Sequence, residues 1–168
     1  MKKDMKELLN VTVLLCEDYD ENEMSIRNIF DKISIDGDKT SFCIATIINA
    51  VEYTKEKFSL HFFLANLEEN KQVYIGEDAY EHQEENGCEN ESNNLKSFIE
   101  ATSQKISVFK LDDVQFISSG AHEILVYLYE NDEVEKARSY VKNQKPYDLQ
   151  DSQKLVATYG FKVHYNNK

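Results

Sequence analysis

Residues 114–129 read VQFISSGAHEILVYLY, and their reading decides the fold. Two runs of β-forming residues flank a Ser-Ser-Gly-Ala break, and the second run alternates. In an extended backbone His122, Ile124, Val126 and Leu128 point to one face, and Glu123, Leu125, Tyr127 and Tyr129 to the other. Both faces are largely apolar. A strand of that kind needs cover on each side, so the segment is expected at the centre of a packed sheet.

The same texture runs outward in both directions. Residues 11–17 form an expected first strand, with Val11, Val13 and Leu15 on one side and Leu14 and Cys16 on the other. Residues 41–53 and 58–67 are two more. The second of these, FSLHFFLANL, sets Phe58, Leu60, Phe62 and Leu64 along one face. The polar tip at 68–71 turns it into a hairpin returning through Val73, Tyr74 and Ile75 to Gly76. Residues 106–111 and 134–141 read as further strands, the latter after an acidic turn at 130–133. The segment MSIRNIFDKISI at 24–35 fits two patterns: a helical stripe of Ile26, Ile29, Phe30 and Ile33, or a strand face of Ile29, Ile33 and Ile35 with a bulge near Asn28. Asp36-Gly37-Asp38 then reads as a tight turn joining it to the next strand as a hairpin. Past Pro146, residues 148–159 suit a helix stopped by Gly160, and residues 161–165 an edge strand.

Short, evenly spaced strands favour an antiparallel β-sandwich with one or two short peripheral helices. The expected organisation is a single domain over residues 1–168, with a C-terminal helix–strand extension at about 147–165. Residues 77–94 hold many Glu, Asn and Gln and no Lys or Arg, which predicts an acidic mobile loop. After it, Leu95, Phe98, Ile99 and Thr102 suggest a short amphipathic helix or an irregular edge.

A chain of 168 residues can bury roughly 70% of its unfolded surface and needs no staples. The net charge of −12 argues against binding a phosphate backbone or an anionic membrane, because both require Lys and Arg to displace counterions. Cys16, Cys43 and Cys88 are odd in number and form no C-x-x-C pair, so neither a disulfide framework nor a zinc ribbon is indicated. A reducing compartment fits this usage. Asp4 and Glu7 interrupt the N-terminal basic stretch, no small-residue cleavage site follows, and no apolar run is long enough for a bilayer. The expected location is therefore the cytoplasm.

Three segments, TVLLCEDYD at 12–20, SIRNIFDKI at 25–33 and FISSGAHEILVYLYEND at 116–132, give the chain a resemblance to a bacterial family of small β-sandwich proteins known only as a domain of unknown function. Together they span roughly residues 11–141. The resemblance implies strand rather than helix for residues 25–35. It implies no reaction, cofactor or catalytic residue.

Candidate chemistry is sparse. Asp18, Asp20 and Asn22 imitate the start of an EF-hand loop, but Glu23 stands where the glycine is required and Ile29 where the bidentate glutamate is required. Asp36, Asp38, Asp112 and Asp113 are further acids that folding could bring to such a site. His61, His82, His122 and His164 are far apart, and three of them lie in expected strands, where packing is the usual role. Cys16 and Cys43 read as buried apolar residues, and Cys88 is surrounded by carboxylates that disfavour its thiolate. No phosphate-binding glycine loop, G-x-S-x-G elbow or H-E-x-x-H helix occurs. Many tyrosines, including Tyr127, Tyr129, Tyr140, Tyr147, Tyr159 and Tyr165, could supply a contact surface.

The expected function is thus a non-enzymatic protein–protein interaction module of a bacterial or phage cytosol, with no cofactor. Its candidate contact residues are Glu77, Asp78, Glu81, Glu84, Glu85, Glu89, Glu91, Tyr127 and Tyr129. Two alternatives stand beside it: an acidic nucleic-acid mimic that blocks a basic protein, and a cation-dependent binding module or hydrolase.

Overall fold

The structure, a computed structural model, describes residues 5–50, 57–80 and 104–166. A helical turn, α1 (Met5–Leu8), leads into β1 (Leu9–Asp20), followed by β2 (Ser25–Phe30), β3 (Lys32–Ile35) and β4 (Thr40–Ala50). Next come β5 (Phe58–Asn66), β6 (Lys71–Tyr80), β7 (Gln104–Val114) and β8 (Gly120–Glu130). A helix, α2 (Asp132–Lys142), and two 3-10 turns (Pro146–Leu149 and Ser152–Lys154) precede the final strand, β9 (Leu155–Tyr165). The strands make a four-stranded sheet, β2-β1-β4-β7, and a five-stranded sheet, β3-β9-β8-β5-β6. Neighbours pair antiparallel except β3 and β9, which are parallel. Among the described residues no helix is long and apolar enough to cross a bilayer.

The sheets share one core. Val13, Leu15, Ile44 and Ile48 of the smaller sheet meet Leu60, Phe62, Ile124, Val126, Phe161 and Val163 of the larger. The Phe62 ring reaches across to Phe109 of β7, edge to face at 4.9 Å. Each such side chain removed from water contributes about 1.5–3 kcal/mol, which makes this layer the main cohesive element. β8 lies at the middle of the larger sheet, between β9 and β5. It begins at Gly120, whose φ of 118° a side chain rarely tolerates.

Several elements differ from expectation. Residues 134–141 are helical, not a strand: Val134, Ala137 and Val141 recur at helical spacing, Ala137 and Val141 press onto the sheet, and Asp132, Glu133 and Glu135 in the first turn are favourable to the helix dipole. The expected helix at 148–159 is instead two 3-10 turns and the first half of β9. Asp151 caps the second turn by accepting from the Gln153 N–H at 2.9 Å. Thr158 to Tyr165 then alternates exposed and covered residues in register with β8, so β9 is an interior strand rather than an edge. Gly160 stops nothing; it lies opposite Glu123 in the ladder.

The segment at 24–35 is extended but divided. β2 joins the smaller sheet, the chain crosses at Asp31, and β3 joins the larger, where Ile33 and Ile35 enter the core. The Asp36-Gly37-Asp38 turn therefore passes between sheets and does not close a hairpin. The hairpin at 68–71 is present, between β5 and β6. Residues 77–80, expected in the acidic loop, instead continue β6 to Tyr80; residues 81–94 and the expected element around Leu95 to Thr102 lie outside the described residues.

Thr46 points into the core from β4, fully buried, and its hydroxyl has no hydrogen-bond partner among the described residues. Replacing it with the isosteric, apolar Val should raise stability by about 1 kcal/mol, because an unsatisfied buried hydroxyl is costly. Phe62→Ala should lower stability by about 3–5 kcal/mol through lost burial and the cavity left behind. Urea unfolding of the two variants beside the parent chain checks both signs.

Candidate functional site

The outer face of the larger sheet is covered by α2 and the first 3-10 turn. Phe63 and Ala65 of β5 and Leu125, Tyr127 and Tyr129 of β8 pack there against Ala137 and Leu149. The Tyr129 hydroxyl donates to the Leu149 carbonyl and ties the turn down. Ser59 and His61 occupy the same face of β5, and both are fully buried. His61 Nε2 lies 3.0 Å from Ser59 Oγ, and Nδ1 lies 3.1 Å from the Tyr74 hydroxyl. The Tyr129 ring stands edge-on to the imidazole at 5.6 Å.

A hydroxyl, an imidazole and a second hydroxyl in line have the outline of an activated nucleophile. Their placement argues otherwise. Ser59 and His61 are 0% exposed, so no substrate atom reaches either in this conformation. Desolvation, helped by the charge of Arg138, lowers the His61 pKa from 6.5 to about 4 and keeps the ring neutral at neutral pH. Burial, with Glu77 nearby, pushes the Tyr74 phenol up to about 12. These groups satisfy one another and cross-link two strands beneath the helix.

The sequence-based contact residues are placed as follows. Tyr127 and Tyr129 are 7% and 8% exposed and form part of the layer under α2. They offer no contact surface in this arrangement. Glu77 Oε1 accepts from Arg138 Nε at 3.0 Å, and Arg138 also reaches Glu135 at 3.0 Å, clamping α2 to β6. Such half-exposed pairs are worth about 0–1 kcal/mol each, so they orient the helix more than they stabilise it. Asp78 accepts from the Tyr80 hydroxyl. Glu81, Glu84, Glu85, Glu89 and Glu91 lie outside the described residues.

The acidic turn after β1 is also engaged. Asp20 accepts from the Asn22 and Glu23 N–H groups at 3.0 and 3.1 Å and pairs with Arg27 at 2.7 Å. Glu17 accepts from Asn28 at 2.7 Å. Among the described residues no three His, Cys, Asp or Glu converge as metal ligands.

Sequence reasoning placed a hairpin tip at 68–71 and a break at Ser118-Ser119-Gly120-Ala121, but missed that the two loops are joined at one end of the larger sheet. Asn66 closes the β5–β6 turn by accepting from the Glu68 and Glu69 N–H groups at 3.0 and 3.1 Å, and its amide donates to Ser118 Oγ at 2.9 Å. Leu67 N–H donates to the Ala121 carbonyl at 3.0 Å. The Tyr165 hydroxyl accepts from Phe116 N–H at 3.1 Å and donates to its carbonyl at 2.7 Å, while Ser119 Oγ accepts from Tyr165 N–H at 3.2 Å. This fastened loop holds Ile117 62% exposed, and the adjoining turn leaves Leu67 53% exposed. Beside Leu67 an open groove is lined by Asp31, Lys32, Ala121, His122 and Lys162. The sequence signalled each turn, but nothing in it signalled their joining.

No family model matches the chain, and no curated protein matches it. Solved structures overlap it loosely. The CARDB domain of the PF1109 protein from Pyrococcus furiosus, solved in complex with di-metal ions, is 9% identical over 94% of each chain, with a TM-score of 0.43. A β-glucosidase from Listeria innocua in complex with glucose is 8% identical over 93% of this chain, with a TM-score of 0.47. The chain spans 16% of that enzyme's length. A β-glucosidase from Kluyveromyces marxianus is also 8% identical, with 93% of this chain and 14% of that one covered and a TM-score of 0.44. Of the family resemblance in the sequence, the β-sandwich is what stands, and it stands on the strand pairing and the shared core.

The buried imidazole makes stability depend on pH. Unfolded, His61 protonates near 6.5; folded, it does so only near 4. Between these values the unfolded chain binds the extra proton, so this contribution is full above pH 6.5, is lost as pH falls, and levels off below about 4. The slope of one proton is about 1.4 kcal/mol per pH unit, or about 3 kcal/mol in all. Urea unfolding of the parent chain and His61→Gln across this range should show the parent losing that much more; parallel curves would mean that His61 is not held neutral.

Proposed function

We propose that this chain is a non-catalytic binding module that acts through protein contacts at the loop end of the larger sheet. One observation carries the reading: Ile117 and Leu67 stand in water on loops fixed by hydrogen bonds from Asn66, Ser118, Ser119 and Tyr165. Exposed apolar side chains are ordinary when scattered on mobile tips. Held rigidly on two joined loops, they bind a partner without a further ordering cost. The groove beside Leu67 offers Lys32, Lys162 and Asp31 as a polar rim.

The enzyme alternative gains nothing from Ser59 and His61, which are sealed under α2. The cation alternative gains nothing from Asp20, whose carboxylate is taken by Arg27 and by the turn. For the nucleic-acid mimic, Glu77 and Asp78 are spent on internal partners, and its remaining acids lie outside the described residues.

The test compares affinity capture by the parent chain with capture by a Leu67→Asp, Ile117→Asp double variant whose melting temperature is unchanged. A partner protein recovered by the parent should be reduced at least tenfold, on the order of 1.4 kcal/mol or more in binding. Equal recovery by both would place the contact elsewhere.

A further inference from the structure

Two thiols sit side by side on the outer face of the smaller sheet. Cys16 of β1 and Cys43 of β4 are direct partners in the antiparallel ladder. They are 0% and 4% exposed and share a small apolar cluster with Ala45, under Leu14, Ile26 and Val108. The Cys43 thiol donates to the Glu17 carbonyl at 3.7 Å, and the two thiols lie within hydrogen-bonding reach of each other. Directly opposed residues of an antiparallel ladder have Cα atoms about 4.5–5.5 Å apart. Disulfides form at Cα separations of about 4.4–6.8 Å, so the backbone already holds this pair at bridging distance.

We propose that Cys16 and Cys43 are a thiol-oxidation site, converted by a small peroxide into a reversible cross-strand disulfide that locks β1 to β4. The site shares no residue with the loop-end surface and does not depend on that reading.

The chemistry follows from placement. Cys43, the slightly more exposed thiol, loses its proton and attacks a peroxide oxygen; the O–O bond breaks, leaving Cys43 as a sulfenic acid and releasing hydroxide. The deprotonated Cys16 sulfur then attacks the Cys43 sulfur, the S–S bond forms, and a second hydroxide leaves. With the two thiol protons, the hydroxides become two waters. The thiols give up two electrons and hydrogen peroxide takes them, so no other oxidant is required. Burial, the other thiol and Asp18 push the Cys16 thiol up to about 11, and burial and Asp18 raise Cys43 as well. The pair therefore reacts slowly, and a small uncharged oxidant suits it better than a bulky anionic one.

The test uses the full chain carrying Cys88→Ser, treated with hydrogen peroxide under native conditions and then unfolded and alkylated. The expected product is a monomer lighter by two hydrogens, protected from alkylation at both sites. Digestion should give one linked peptide pair containing Cys16 and Cys43, and dithiothreitol should restore both thiols. Two alkylated cysteines, a sulfinic acid at either position, or a bridge between chains would each overturn the proposal. A retained circular dichroism spectrum establishes that the pair reacted within the folded chain.

Discussion

Ile124, Val126 and Leu128 alternate along β8 with Leu125, Tyr127 and Tyr129, so this strand cannot leave either face in water. Two different parts of the chain answer the two demands. The first face meets the smaller sheet through Ile44, Ile48, Val13 and Leu15, which makes the sandwich. The second face is wider in chemistry, because its tyrosines carry hydroxyls that need partners. A cover with free acceptors can take them, and the turn ending at Leu149 supplies a carbonyl to Tyr129. α2 and the 3-10 turn are thus consequences of β8 as much as the opposite sheet is.

That dependence explains which parts of the fold the sequence revealed. A strand such as β5, with Phe58, Leu60 and Phe62 inward and Phe63 outward across a bulge in β6, announces itself through its density of aromatic and branched residues. α2 did not, since Val134, Tyr140 and Val141 are β-formers and stand with Ala137 among charges. Val134, Ala137 and Val141, at offsets of 0, 3 and 7, fit a helical stripe and not one face of a strand, so the period was present in the sequence and the β-forming residue types outweighed it. β9 was obscured from the other side: Asp148, Gln150, Asp151 and Ser152 look like a helix start followed by Gly160. The β-branched and aromatic residues from Val156 to Tyr159 were the better signal, but only pairing with β8 gives them weight. The crossing at Asp31 was not legible, because β2 exposes three consecutive residues, Arg27 to Ile29, and only β3, with Ile33 and Ile35 buried, alternates.

The candidate sites were less legible than the fold, for a related reason. Ser59 and His61 are two residues apart on one strand, a spacing that any strand provides, and nothing in the sequence says which face will be sealed. The tyrosines of β8 are rich in contact area, which suits an interface and an interior equally. Their fate was decided by α2, an element read as a strand. The acids of the first turn could be weighed from sequence only as ligands or as solvated groups, yet Asp20 does a third thing and builds the turn itself.

Polar side chains in this molecule therefore serve mainly to fix geometry, and the consequence falls on what remains outside. Asn66, Ser118, Ser119 and Tyr165 spend their hydrogen bonds on making two loops one body, and Phe116, buried in the core, anchors one of them. Ordering such backbone costs about 1–2 kcal/mol per residue in lost entropy, and burial does not return that cost at Ile117. Phe116 accounts for the order of this loop, and leaves the exposure of Ile117 beside it as the part that the stability of the chain does not explain. The proposed contact surface rests on that exposure and not on the order of the loop.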